Sequence, residues 1–180
     1  MPGTPGTPAT PPSPRTLRCA RPTGRLNGLS LGPLALGWTR ARARATLRNF
    51  NVTHNDLHNF CLAAGWGIRV GYPSAKLLRE LSSRQRARVA GRIILALTAN
   101  RYYALDGVRP GRRLATVAAR LGAGRPLSIG LNDWYVVRGR ASDGVLKVRR
   151  GVVQEVGIAS KQLCHGRAAQ RRLLRSFTAP

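Results

Sequence analysis

Apolar residues in this chain gather into short dense runs, with arginine, glycine and proline filling the stretches between them. RIILALT (92–98) is an apolar run of strand length. FCLAAGWGIRVGY (60–72) supplies strand material around Gly65 and Gly67, and PLSIGLNDWYVV (126–137) reads as a strand or strand pair carrying aromatics. VLKVRRGVVQEVGIA (145–159) predicts two strands broken at Arg150-Gly151, with Lys147, Val148 and Arg149 alternating. Asp143-Gly144 between apolar runs predicts the turn of a hairpin whose loop is RGRASDG.

Helical spacing occupies the remaining segments. Thr39 stands where an N-cap belongs, ahead of a helix expected over 40–50. Its Ala41, Ala45, Leu47 and Phe50 would supply apolar contacts, and Arg40, Arg42, Arg44 and Arg48 a solvated basic face. NVTHNDLHN follows, and its Asn and Asp side chains compete for backbone hydrogen bonds, which predicts a loop. Ser74 caps a short helix, AKLLREL, with Leu77, Leu78 and Leu81 on one side, and the basic stretch SSRQRARVAG leads from it into RIILALT. Leu114, Val117, Ala118 and Leu121 recur at i, i+3, i+4 and i+7 after a proline-glycine turn. GRAAQRRLLRSF closes as an amphipathic helix. Docking of Leu173, Leu174 and Phe177 on the sheet is favoured over laying that side on an anionic membrane.

The same elements recur in the same order. Gly37 aligns with Gly107, Arg42-Ala45-Thr46-Leu47 with Arg112-Ala115-Thr116-Val117, Trp66 with Trp134, and Gly91 with Gly151. The pattern predicts an α+β fold of two tandem helix-on-small-antiparallel-sheet units with a C-terminal helix. The expected boundaries are a disordered Pro/Gly/Thr-rich tail over 1–25, units over 26–103 and 104–164, and the helix and chain end over 165–180. Neither small sheet has much core by itself, and pairing the units lets each cover the other's edge or face.

Charge changes the picture most. Lys plus Arg number 31 against 6 for Asp plus Glu, a formal charge of +25 that needs an anionic neighbour or tolerates one. GC-rich coding accounts for arginine over lysine but not for the scarcity of acids, which leaves most arginines without a carboxylate partner. No run approaches the roughly 18 apolar residues of a bilayer span. The N-terminal stretch has no apolar core of a signal peptide, unless a misassigned start has replaced one. Cys19, Cys61 and Cys164 form no CxxC and permit at most one internal bridge. Cys61–Cys164 is the candidate pair, with buried free thiols favoured over it.

Catalytic arrangements find little support. His54 and His58 in HNDLH would share a helix face suited to a metal, but the flanking Asn residues argue for a solvated loop, and no glutamate stands inside as a base. Ser74 and Lys76 diverge on a helix, and Ser74 is better explained as a cap. A P-loop is absent, Gly122-Ala123-Gly124 lacks the rest of a dinucleotide fingerprint, and the carboxylates, Asp133 and Glu155 among them, are isolated in sequence. The expectation is no catalytic residue, no metal ligand and no cofactor.

With Gly37-Trp38-Thr39, Gly107, and a tryptophan strand followed by a short β-branched strand, the chain resembles a repeat shared by two groups. These are the outer-membrane assembly lipoproteins of the SmpA/OmlA type and the beta-lactamase inhibitory proteins, which are tandem copies of it. GIRVGYPSAKLL, LTANRYYALDGVRPG, IGLNDWYVV and GVLKVRRGVVQEVGIA resemble more closely an uncharacterised family of predicted proteins from GC-rich bacteria, which implies no activity. Cys19 lacks the apolar signal that precedes a lipidated cysteine. The inhibitors use a concave sheet surface, and the resemblance implies a comparable surface for Trp66, Tyr72, Trp134 and Tyr135. The expected function is a non-catalytic binding module of the bacterial cell envelope or exterior. Arg69, Tyr72, Trp134, Tyr135, Lys147 and Arg149 are its expected ligand-binding residues, and the partner an anionic polymer, an acidic surface or a protein. The competing classes are an intracellular nucleic-acid-binding protein and, behind it, a metal-dependent enzyme.

Overall fold

Residues 18–54 and 56–178 are described by the computed structural model. Three two-residue strands, β1 (Leu26–Asn27), β2 (Ser30–Leu31) and β3 (Leu34–Ala35), form a small meander ahead of helix α1 (Arg40–Thr46). Strands β4 (Phe50–His54), β5 (Leu57–Phe60) and β6 (Ile68–Gly71) follow, then helices α2 (Ala75–Arg79) and α3 (Ser83–Val89), then β7 (Leu95–Thr98). A 3-10 turn (Leu114–Thr116) and α4 (Ala118–Leu121) precede β8 (Leu127–Ile129), β9 (Asn132–Val137), β10 (Asp143–Arg149) and β11 (Val152–Ala159), and α5 (Gly166–Arg175) comes last.

Eight of these strands make one antiparallel sheet in the order β4-β5-β6-β7-β11-β10-β9-β8. The fold is α+β, but one continuous sheet stands where two small ones were expected. The strands RIILALT and GVVQEVGIA meet in its middle, Val156 opposite Thr98 and Ala159 opposite Leu95. Both are buried along these stretches, so leaving either as an edge would expose apolar side chains and unpaired backbone groups.

Alternation along the strands sends side chains to two cores. Phe60, Ile68, Val70, Ala96, Leu146, Val156 and Ile158 pack with Leu31, Leu34, Ala43, Leu47 and Leu105 on one face. Leu95, Leu97, Trp134, Val145 and Ala159 pack with Leu77, Leu81, Val89, Leu173, Leu174 and Phe177 on the other. The apolar side of α5 is therefore docked on the sheet, close enough that a Cβ on Gly71 would lie 2.3 Å from the Phe177 ring.

Local expectations meet mixed outcomes. Thr39 and Ser74 do cap α1 and α2, accepting from the amides of Arg42 and Leu77. Helix α1 ends at Thr46, however; Ala43 and Leu47 are its buried side, Ala41 and Ala45 are exposed, and Phe50 begins a strand. The arginine face is not simply solvated, since Arg40, Arg42 and Arg44 lie 4.5, 4.0 and 4.8 Å from the ring centres of Tyr72, Trp38 and Phe50. Ring faces thus receive cations that have few carboxylates to meet. The residues of NVTHNDLHN that fall in β4 and β5 pair as antiparallel strands instead of forming the expected loop, and SSRQRARVAG contains α3, set by a capping box between Ser82 and Gln85. Asp143 and Gly144 belong to β10 rather than to the turn before it. The Asp143 carboxylate accepts from the Gly139 amide and closes that turn.

His58 is fully buried beside Phe50, Phe60 and Tyr72, and its Nε2 accepts from Arg44 Nη2 at 3.4 Å. Burial, then the charges of Arg44 and Arg40, push its pKa down to about 4, with Asp56 opposing. The unfolded chain takes up this proton below a pH of about 6.5, whereas the native one waits until about 4. Stability is therefore flat above that window and falls as pH drops through it, by roughly 2 kcal/mol once solvent screening is allowed for. Urea midpoints measured across the window should show the loss, and His58→Phe, which suits the ring cluster, should remove the pH-dependent part.

Candidate functional site: an open groove on the sheet

Helices α2, α3 and α5 cover only part of the second face. Asn59, Arg69, Lys147 and Glu155 alternate with core residues of β5, β6, β10 and β11 and line an open groove of about 1410 Å³. Glu155 Oε2 receives both Arg69 Nη2, at 2.6 Å, and Lys147 Nζ, at 3.0 Å. A β-bulge between Lys147 and Val148 opposes one residue with two on β11, and Gln154 joins Glu155 in the lining. Arg149, Asn51 and Asn132 extend the polar surface toward the sheet edges.

Two loops and the N-terminal segment build the rim. Trp66, on the loop after β5, is 73% exposed, and Tyr102, on the loop after β7, is 51% exposed. Asn100, itself buried, fixes both: its Nδ2 donates to the Trp66 carbonyl and its Oδ1 accepts from the Tyr102 amide. Arg21 and Pro22 complete the rim. Residues 18–25 belong to the segment expected to be a tail, whose first 17 residues lie outside the described part. They are tied down by a Cys19–Cys61 disulfide, a bridge between Ala20 and Leu62, and a bond from the Tyr103 hydroxyl to the Thr23 carbonyl. The bridge thus joins Cys61 to Cys19, not to Cys164, which is a buried free thiol whose pKa burial pushes up to about 12.

Of the expected ligand-binding residues, the groove brings together Arg69, Lys147 and Arg149. Tyr72 and Trp134 are corrected to core positions. Tyr72 packs on His58 in the first core, and Trp134 lies in the second beneath the docked helix. Tyr135 is half-buried against the first core and outside the groove. The aromatics that do reach it are Trp66, which the resemblance implied for a concave surface but which was not among the expected ligand-binding residues, and Tyr102, which neither reading named. A glycine-rich turn around an aromatic was the available signal for Trp66.

Other chemistry is dispersed. His54 and His58 lie on the paired strands of a hairpin, so the helical spacing that would align them does not arise. Asp133 accepts from the Ser128 hydroxyl. Among the described residues no three His, Cys, Asp or Glu side chains converge, and no helix is long and apolar enough to cross a membrane.

No family model and no curated protein matches the chain. Among solved structures, it is similar to an extracellular protein containing a SCP domain from Bacillus anthracis strain Ames, at 8% identity and a TM-score of 0.43. The likeness covers 71% of this chain and 44% of that one, so the chain spans less than half of that protein's length.

Proposed function

We propose that this protein is a non-catalytic binding module for an anionic partner outside the cytoplasm, and that the open groove is its site. The observation that carries the reading is the groove's lining. Arg21, Arg69, Arg101, Lys147 and Arg149 face a single carboxylate, Glu155, beside two exposed aromatic rings. Cations held around one concavity with so little compensating charge concentrate field lines there and favour an anion over water. The Cys19–Cys61 disulfide supports the location, because such bridges persist in oxidising compartments.

The test separates a site from a diffuse property of a +25 chain. Arg101→Glu with Arg149→Glu reverses two exposed groove charges, and Arg84→Glu with Arg88→Glu makes the same change in net charge on exposed positions of α3, outside the groove. Binding to heparin at near-physiological salt should weaken at least about tenfold in the first variant, a loss of roughly 1.4 kcal/mol, and little in the second. Equal losses in both would overturn the groove as the site.

The halves of the sheet support a further reading, that β4–β7 and β8–β11 descend from one unit joined through its last strand. The register that aligns Gly91 with Gly151 also aligns Leu97 with Gly157, and these two sit opposite each other where β7 meets β11, as a local dyad requires. Trp66 and Trp134 do not correspond in this arrangement, since one lies in the loop after β5 and the other within β9.

A further inference from the structure

The groove's own acceptors narrow the partner. We infer that its ligand is an acidic polysaccharide of low charge density, bound through ring hydroxyls as much as through its charges; this rests on the groove being the anion site proposed above.

The charge available to a ligand is smaller than the number of cations. Arg69 and Lys147 already share one oxygen of Glu155, so Arg21, Arg101 and Arg149 are left to meet incoming anions. They stand on three different elements, the N-terminal segment, the loop after β7 and the end of β10, spread around the groove rather than clustered. A polyphosphate strand, with a charge on every unit, would bring more charge than these three can neutralise. It would also run past the Glu155 carboxylate.

The remaining polar groups need donors as well as acceptors. Asn51, Asn59, Asn132 and Gln154 each bring an amide carbonyl oxygen, the amide nitrogens of Asn59 and Gln154 already donating to Thr53 Oγ1 and the Val152 carbonyl, and both Glu155 contacts fall on Oε2, leaving Oε1 as a further acceptor. Phosphate and sulfate oxygens only accept, and would leave these carbonyl and carboxylate oxygens unsatisfied when water is displaced. A sugar hydroxyl both donates and accepts, which matches such a surface. Trp66 and Tyr102 add flat apolar faces on the rim, against which the C–H face of a sugar ring packs. Bases stack on rings too and carry N–H donors of their own, so it is the charge on every nucleotide, set against three available cations, that decides between the two polymers.

The deciding experiment titrates the intact disulfide-bonded protein, followed by tryptophan fluorescence, with hyaluronate, unsulfated chondroitin and deacylated gellan, in which at least every second sugar is uncharged, in one arm. A single-stranded oligothymidylate and heparin form the others, all at near-physiological salt. At least one of the three carboxylated polysaccharides should bind saturably and more tightly than the oligothymidylate. Trp66→Ala and Gln154→Ala, both at exposed positions, should each weaken that binding at least about fivefold, read by calorimetry for the tryptophan variant, while Arg84→Glu with Arg88→Glu, outside the groove, should leave it within about twofold. Heparin binding that depends on Arg101 and Arg149, with none of the three polysaccharides bound, would overturn this inference and leave the proposed function standing. Tighter binding of oligothymidylate would overturn it in favour of a nucleic-acid strand. Loss of every interaction without regard to the groove substitutions would overturn both.

Discussion

Denatured without reductant, the protein should expose a single reactive thiol, and three after reduction. Cys19 and Cys61 are bonded with their Cα atoms 5.1 Å apart, and Cys164 becomes accessible only on unfolding. The bridge closes a loop of 42 residues, for which the chain-entropy account gives about 4 kcal/mol. Cys19→Ser with Cys61→Ser should therefore lower the melting temperature by about 10 °C in a chain of this size. The effect should reach the groove as well. Arg21 and Pro22 lie two and three residues beyond Cys19, and with the bridge gone their part of the rim loses its covalent tie and keeps weaker ones such as the Ala20 bridge and the bond to Thr23. Heparin affinity should fall with stability in the double variant, made by export or by refolding in a glutathione buffer. Three thiols in the unreduced, denatured wild type would remove both the stabilisation and the argument for an oxidising compartment.

The sequence signals that succeeded are those in which local chemistry and burial agree. Thr39 and Ser74 cap helices because a side-chain oxygen two or three residues ahead of an unpaired amide has an immediate use for it. Arg150-Gly151 turns between β10 and β11 with both residues at positive φ, the conformation a two-residue hairpin demands. Arg69, Lys147 and Arg149 were legible as outward residues because each alternates with apolar neighbours on a strand.

The failures share a physical cause. Asn51 and Asn59 made the β4–β5 hairpin look like a loop, yet both line the groove, where strand positions facing a polar site acquire the composition of a loop. Trp134 and Lys147 pair across β9 and β10, so alternation alone gives them the same exposure. What separates them is the helical layer: Trp134 shares a core with Leu173 and Phe177, and Lys147 lies beyond that cover. The partner of Cys61 was hidden in the same way, because the segment around Cys19 carries the proline-rich composition of a tail and is held by contacts made far along the chain.

Gly157→Ala should damage the fold far more than its one added methyl suggests. Gly157 sits opposite Leu97 where the two halves of the sheet join, and a Cβ there would lie 2.0 Å from the Ala96 carbonyl oxygen, a backbone atom that no rotamer can move aside. Relieving the clash means drawing β11 away from β7 and losing several ladder hydrogen bonds at about 1 kcal/mol each, together with the packing on both faces. A total of about 4 kcal/mol, or roughly 8 to 16 °C in melting temperature, is expected. The sign makes the test decisive. At an unobstructed strand position alanine is favoured over glycine by roughly 0.5 to 1 kcal/mol, so a join looser than described would yield a stabilised variant. Gly124→Ala supplies the comparison: it lies in a loop with no positive φ and nothing within 4 Å of the new Cβ, and should change stability by no more than about 0.5 kcal/mol. Loss of the Gly157 variant with retention of the Gly124 variant would locate the constraint in the β7–β11 pairing. The groove depends on that pairing, because Arg69 stands on the β4–β7 side of it and Lys147 and Glu155 on the other. Damage at Gly157 should therefore separate Arg69 from Glu155 and lower heparin affinity even under conditions where most of the variant remains folded.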